Sequence, residues 1–501
     1  MSLISINGWL CKSPRHLPRH AYAFSKLFSP RSRVWPQLHN RGERLIDRPS
    51  PQVRDQAIRL GIAWVSFEPM APIRNVLLVS VDCLRADRFR EGIEDGLLPN
   101  CAALDSGATT FESAYTVANT TDPSLTSFMT AQYPFGHGVV ENGWGLDESE
   151  PVAAERFRAA GFDTFGVVSV DHLAHEHSRL GRGFDQYHDG GSSYDTLYPI
   201  LSRIYDTKTF NTVFGAIKTL GIGRYTVKNL LRDLGLISLH CRPASGVTAD
   251  ATASLDNADA PFFGWVHYFD VHEPRNAPRD LLGDHDEYTA AMMRVDEHVG
   301  KLLAELDTLG IRDETLVVLT GDHGEALEDH GYTGHGRTLY EEELHVPLVF
   351  AHESLPDRTV PTQVRTIDIL PTLLSMVGAD PLDAAGTPVV DGPHDGTKHT
   401  APIDEDRPLY AMAYPTFGEG VALRRDDWKL VRDQEEETEE LYDLSADPTE
   451  RTDLVDDAEV STRWKSMATD LDAWLGGFGE TDRQEVDAET EEMLADLGYA
   501  E

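Results

Sequence analysis

Three apolar runs in this sequence each finish on an aspartate. They are "NVLLVSVD" (75–82), "PFFGWVHYFD" (261–270) and "ETLVVLTGD" (314–322), ending at Asp82, Asp270 and Asp322. His323 follows Asp322 directly within "GDHGE", where the flanking glycines permit a close backbone approach. A single aspartate in such a place is usually a turn or cap residue. Three at one end of a sheet crowd negative charge, and clustered carboxylates repel unless a cation sits among them. The trio therefore reads as a metal site. A lone "DHG" would read as a turn; its place after a buried strand shifts the reading toward ligands.

A second stretch, "NTTDPSLTSFMTA" (119–131), crowds hydroxyls around one proline. Asp122 or Thr121 suits an N-cap and Pro123 a first helical residue, which predicts a helix from about 123 to 131. Thr121 then stands just ahead of a helix N-terminus, where free N–H groups and the dipole favour an anion. That suits a nucleophilic hydroxyl attacking phosphorus or sulfur, deprotonated by a divalent metal. Taken alone, the stretch reads better as a capped helix.

The elements that would position these groups follow from periodicity. The apolar runs are continuous rather than alternating, as in strands buried on both faces of a parallel sheet. Between them, Val295, Val299, Leu302, Leu303 and Leu306 fall at helical spacing in 288–309, with Gly310 as a stop. Alternating strand and helix predicts a doubly wound α/β core, whose ligand sits beyond the carboxyl ends of the strands.

Composition bounds the partners. The 501 residues carry 84 acidic against 44 basic side chains, a net of −40, and 41% are hydrophobic. The acids are dispersed, as on a surface kept soluble where salt screens charge; a polycationic partner is the other reading. Such a body does not suit nucleic acid. No run of apolar residues is long enough for a transmembrane helix, and the N-terminal run lacks the features of a secretory signal. Cys11, Cys83, Cys101 and Cys241 have neither metal-finger nor CxxC spacing, which fits free thiols in a reducing, cytoplasmic compartment.

The first 60 residues invert the charge, with eleven Lys/Arg against three Asp/Glu, so the segment is +8 and the remainder −48. Residues 1–72 read as a basic, poorly ordered extension that could dock on an anionic membrane surface or on the acidic body. Residues 190–240 hold Lys208, Lys218, Arg224 and Lys228 with few acids. They read as a packed helical insertion, or as a basic cap guiding an anionic or lipid-linked substrate. From about 405, "PLYAMA", "GVALRR", "WKLVR" and "EELYDL" predict a small antiparallel sheet.

Together these segments resemble the sulfatase branch of the alkaline phosphatase superfamily, over roughly 73 to 500. "NVLLVSVDCLRADRF" resembles its opening metal-binding strand, and "TDPSLTSFMTAQYPFGHGV" its nucleophile helix. "WVHYFDVHEP" resembles a segment supplying a substrate-facing histidine, and "TLVVLTGDHGEALEDHGYTGHGRTLYEEELHVPLVF" is the most specific match. "DDWKLVRDQEEETEELYDLSADPTERTDL" and "EMLADLGYAE" resemble its C-terminal hairpin and ending. The resemblance implies a large, mostly parallel sheet sandwiched by helices as the catalytic core (73–404), with a C-terminal antiparallel subdomain and tail (405–501). It places Asp82, Thr121, Asp322 and His323 on metal positions and Thr121 on the nucleophile position. His272 and His335 fall on substrate contacts or a general acid, Arg337 near an anion-binding cation. His137 is a further substrate contact, or a support for the nucleophile helix.

Three departures stand out. The family matures a cysteine or serine in C/S-x-P-x-R to formylglycine, but this frame reads Thr121-Asp122-Pro123-Ser124-Leu125. Threonine gives no aldehyde by that oxidation, so a formylglycine mechanism is not expected. Asp82 is followed by Cys83 rather than a second acid. The lysine and histidine of the usual G-K-W-H segment are absent after "FGVVSVD", and His172 is a poor substitute. The implied cofactor is one divalent ion, with manganese or zinc suiting three oxygens and a nitrogen better than calcium or magnesium. The implied substrate is an anionic sulfate or phosphate ester, glycan- or lipid-linked among the options. The alternative is a non-catalytic member of the fold that binds an anionic ligand.

Overall fold

The computed structural model describes residues 73–190, 241–390, 407–416 and 420–479, and near the C-terminus 484, 486–497 and 499. The basic N-terminal extension and nearly all of the 190–240 insertion lie outside the described residues.

One eight-stranded sheet organises the core. In chain order its strands are β1 (Asn75–Val81), β2 (Thr109–Phe111), β3 (Asp163–Val167), β4 (Gln186–His188), β5 (Phe262–Tyr268), β6 (Thr315–Gly321), β7 (Leu348–Ala351) and β8 (Arg358–Val360). Across the sheet they run β8-β2-β7-β6-β1-β5-β3-β4. β1 pairs in parallel with both β5 and β6, while β7 is antiparallel to β2 and β6. The three aspartate-ended runs are therefore adjacent, central and parallel, and the sheet is mixed toward one edge.

Their continuous apolar character has the expected cause. Val76 and Leu78 join one buried cluster and Leu77, Val79 and Val81 another, so both faces of β1 are covered. One face packs α1 (Thr121–Thr130) through Leu125, Phe128 and Met129. The other packs α2 (Ala244–Asn257) and α3 (Glu287–Leu309). In α3 the predicted stripe is buried at Val295, Val299, Leu302 and Leu306, with Leu303 half-buried. Asp286 caps its start by accepting from Thr289 N, and Gly310 closes it at φ 68°. The C-terminal runs form a four-stranded antiparallel sheet of β9 (Leu409–Met412), β10 (Gly420–Arg425), β11 (Trp428–Asp433) and β12 (Thr438–Asp443). α4 (Ser461–Leu475) and α5 (Ala488–Leu497) follow it. No helix among the described residues is long and apolar enough to cross a membrane.

Candidate active site

Helix α1 differs from its predicted bounds. It begins at Thr121 rather than near 123, with Thr120 at the N-cap position and no side-chain cap. Asp122 is not a cap either. Its Oδ2 accepts from Gly143 N at 2.6 Å and its Oδ1 lies 2.6 Å from His172 Nδ1. All ten residues of this polar helix are buried, so the hydroxyls must find partners. Ser124 donates to the Asp322 carbonyl at 2.6 Å, which ties the helix to the end of β6. Ser127 donates to Pro123 O, and Thr130 to Thr126 O.

That tether sets Thr121 over the ends of the central strands. Its Oγ1 is 3.2 Å from Asp82 Oδ2 and 3.4 Å from His323 Nε2. Asp82, Asp322 and His323 each turn a ligand atom into a space where these atoms lie within 4.8 Å of one another. Asp322 Oδ1 is spent on the backbone, accepting from Cys83 N at 3.2 Å and His323 N at 2.7 Å. Its Oδ2, and Asp82 Oδ1, are buried with no hydrogen-bond partner among the described residues. His323 Nδ1 donates to the Gly324 carbonyl at 2.8 Å, so its Nε2 presents a lone pair to the same space. Unpaired buried carboxylate oxygens beside a correctly tautomerised imidazole fit a divalent cation.

The electrostatics agree. Burial pushes the Asp322 carboxyl well up, and the charge of Asp82 pushes it further. Burial alone would raise Asp82 too, but the imidazoles of His272, His323 and His267 outweigh it and hold this group below the usual range. One site thus holds a carboxylate kept ionised next to one driven toward its acid form, as like charges at close range require. The glycines of "GDHGE" are required by space. A Cβ on Gly321 would meet Leu84 O at 2.5 Å, and one on Gly324 would meet Glu342 O at 2.0 Å.

Other expected residues divide. His272 follows β5 and is buried; burial pushes its pKa down to about 3, Asp82 notwithstanding. Its Nδ1 donates to the Glu273 carbonyl, leaving Nε2 as an acceptor. His335 stands with its ring 4.5 Å from that of His323 and 5.0 Å from that of His272. Its Nδ1 lies 3.6 Å from Cys83 Sγ and 3.9 Å from Glu325 Oε1. Glu325 is held ionised because Arg275 outweighs its burial. Arg337, two residues on, is exposed. His137 bonds Ser127 Oγ through Nε2 at 3.0 Å and accepts from Val139 N at 3.1 Å. Ser127 is six residues past Thr121, about 9 Å along the helix axis, so His137 braces the helix rather than facing the site.

Asp270 leaves the metal group that the three strand ends suggested. Its Oδ1 accepts from Ala244 N at 3.1 Å and Asn276 Nδ2 at 2.6 Å, pinning the start of α2. In its place β5 offers His267, whose Nε2 is 3.6 Å from Asp82 Oδ2. Trp265 Nε1 donates to Ser80 Oγ, and Ser80 is bonded to His267 Nδ1, so the Ser80 proton goes to the imidazole and Nε2–H turns to Asp82. A histidine inside a buried apolar strand was the available signal for it. Cys83, in the left-handed region at φ 57°, occupies the turn after Asp82. Tyr499 was not expected in the site at all; its hydroxyl is 2.9 Å from Thr121 Oγ1.

Known proteins carry this architecture. A family model described as Sulfatase matches residues 74–379, and one described as N-sulphoglucosamine sulphohydrolase, C-terminal, matches 328–475. Choline-sulfatase of Rhizobium meliloti (strain 1021) is 24% identical over 442 residues, covering 76% of this chain and 82% of that protein. An ulvan-active sulfatase of Formosa agariphila is 24% identical over 444 residues, covering 82% and 83%. The solved phosphonate monoester hydrolase SpPMH from Silicibacter pomeroyi has a TM-score of 0.58 at 21% identity, covering 80% of this chain and 94% of that one. At that identity the structural likeness speaks for the fold: the alkaline phosphatase-like sheet between helices, with its small C-terminal antiparallel sheet. Because the Sulfatase model spans well over half of the sequence, from 74 to 379, the chain belongs to the sulfatase family of ester hydrolases.

Proposed function

We propose that this chain is a metal-dependent hydrolase or transferase of a sulfate or phosphate ester in which Thr121 is the nucleophile. The observation that supports this most is the position of Thr121 Oγ1, 3.2 Å from Asp82 Oδ2 and 3.4 Å from His323 Nε2, beside the unpaired oxygens of Asp82 and Asp322. Asp82, Asp322 and His323, with Thr121 itself, would hold a divalent ion, manganese or zinc by donor type. Such an ion supplies a lowered hydroxyl pKa and neutralises charge on the transferring group.

The chain's own residues do the rest. Asp82 accepts the Thr121 proton and aims the oxygen. Attack forms a Thr121 ester and breaks the bond to the leaving oxygen. His335 stands beside Glu325 and would give that oxygen a proton; its Nε2 is buried without a hydrogen-bond partner among the described residues. Water then cleaves the Thr121 ester. A threonine at the formylglycine frame favours phosphodiester-type substrates over the sulfate monoesters that the family name suggests. The test is turnover of sulfate and phosphate mono- and diesters with added Mn²⁺ by the native chain and by Thr121→Ala. The expected outcome is loss of at least about 10³-fold with Thr121→Ala and preference for a phosphate diester. Full turnover by Thr121→Ala overturns the assignment. Metal content well below one per chain after purification in Mn²⁺ or Zn²⁺ supports a non-catalytic anion binder instead.

A further inference from the structure

Thr121 is covered by the chain's own C-terminal segment. Thr121 is 0% exposed and His272 and Tyr499 are 2% exposed. The Tyr499 hydroxyl sits 2.9 Å from Thr121 Oγ1 and 2.9 Å from His272 Nε2. Because His272 Nδ1 donates to a carbonyl, its Nε2 is the acceptor and the phenol donates to it. The phenol oxygen then competes with Asp82 Oδ2 as acceptor for the single Thr121 proton. The ring lies edge-on to those of His172 at 5.7 Å, His335 at 5.5 Å and Tyr414 at 6.3 Å.

The docking of this segment is built rather than incidental. Met493, Leu494, Leu497 and Tyr499 join the main buried cluster. Gln484 exchanges two hydrogen bonds with the Gly145 backbone, at 3.1 and 3.0 Å. Gly143, at φ 80°, has no side chain where Leu494 and Thr490 press in; a Cβ there would meet them at 2.9 and 3.0 Å. A reacting ester must come within roughly 3–3.5 Å of the nucleophile. The phenol oxygen already holds that place.

We propose that residues 486–497 with Tyr499 are an intramolecular occupant of the active site: Thr121 and His272 hold the Tyr499 phenol where substrate would bind, and turnover requires its release. The inference rests on the reading of Thr121 as nucleophile. The slot vacated by Tyr499 is ring-sized with aromatic walls, so an aryl ester is the matching probe.

The experiment compares the full chain with Tyr499→Ala, Tyr499→Phe and a chain ending at residue 485. Two readouts are taken: kinetics on p-nitrophenyl sulfate, phosphate and phenylphosphonate with Mn²⁺, and the rate of iodoacetamide labelling of Cys83. Cys83 is buried beside the site, and half-buried Cys241 serves as the internal control. If the open form is roughly one-tenth of the population, Tyr499→Ala and the shortened chain raise kcat/KM about tenfold, chiefly through KM. Cys83 labelling accelerates in step, while Cys241 labelling does not. Tyr499→Phe keeps the ring and loses both hydrogen bonds, so it shifts both readouts the same way by less, and an unchanged melting curve shows that it folds. A fall in kcat with KM and labelling unchanged makes Tyr499 a proton carrier and overturns the proposal. No change in either readout overturns it as well. Faster labelling with no turnover by any chain leaves the occupant in place and removes the hydrolase reading.

Discussion

In protein stripped with a chelator, Asp322→Asn should raise stability, although it replaces a fully buried, site-lining residue. The ligand atoms of Asp82, Asp322 and His323 lie within 4.8 Å of one another. Two like charges at that distance repel by about 3 kcal/mol at an effective dielectric of ~20. Asparagine keeps an oxygen for the Cys83 and His323 N–H groups and turns an N–H₂ toward Asp82 in place of Oδ2. A proton can stand in for the cation in the native chain, because burial and Asp82 raise Asp322 well above its ordinary 3.8. A carboxyl raised on folding is stabilising while protonated, and the stability it brings is lost as pH rises from 3.8 toward the folded value. The advantage of Asp322→Asn therefore grows with pH and approaches the Coulomb figure on the alkaline side. Metal reverses the order. An ion at one hundred times its Kd stabilises by about 2.7 kcal/mol, and the native chain gains this while Asp322→Asn gains little. Urea unfolding at pH 6, 7.5 and 9, with chelator and then with Mn²⁺ or Zn²⁺, measures both. If Asp322→Asn is less stable than the stripped native chain at every pH, or gains the same metal stabilisation, the carboxylate pair does not share a cation.

Two further outcomes follow from the same geometry. Burial pushes His137 down to about 3 from 6.5, so the native state resists the proton that the unfolded chain takes. Its contribution is present above pH 6.5 and is lost as pH falls from there toward 3, at up to about 1.4 kcal/mol per pH unit. His137→Asn should give a shallower decline in urea midpoint between pH 6.5 and 4. Gly324→Ala puts a Cβ 2.0 Å from Glu342 O, a backbone atom that cannot step aside. It should destabilise by about 1–3 kcal/mol or more and displace His323, measured as a lowered melting temperature together with weakened metal binding; native-like values for both contradict the close approach.

Much of the candidate site was legible because it depends on local pattern. A continuous apolar run fixes a strand buried on both faces, and the residue that ends it must lie at the sheet's carboxyl edge. Asp82 and Asp322 reached the site on that logic, and His323 by adjacency to Asp322. Asp270 ends its run in the same way and is not gathered with them. Its strand end sits equally well, but its Oδ1 accepts from Ala244 N and Asn276 and pins it to the start of α2, and nothing in its own run shows those partners. The start of α1 was placed late because Pro123 marks a first turn without saying which residue of that turn it occupies.

The sequence alone determined the fold class, the burial of three strands on both faces, and the hydroxyl worth testing. These follow from the spacing of apolar residues and from chemistry carried within a dozen positions. The tertiary structure decided which acids face one another, which histidine answers them and what covers Thr121. His267 meets Asp82 from the neighbouring strand β5, and Tyr499 meets Thr121 across 378 positions of chain. Such contacts arise from the packing of separate elements, whose relative placement is set by the summed burial of whole faces, and no short stretch of sequence carries that information.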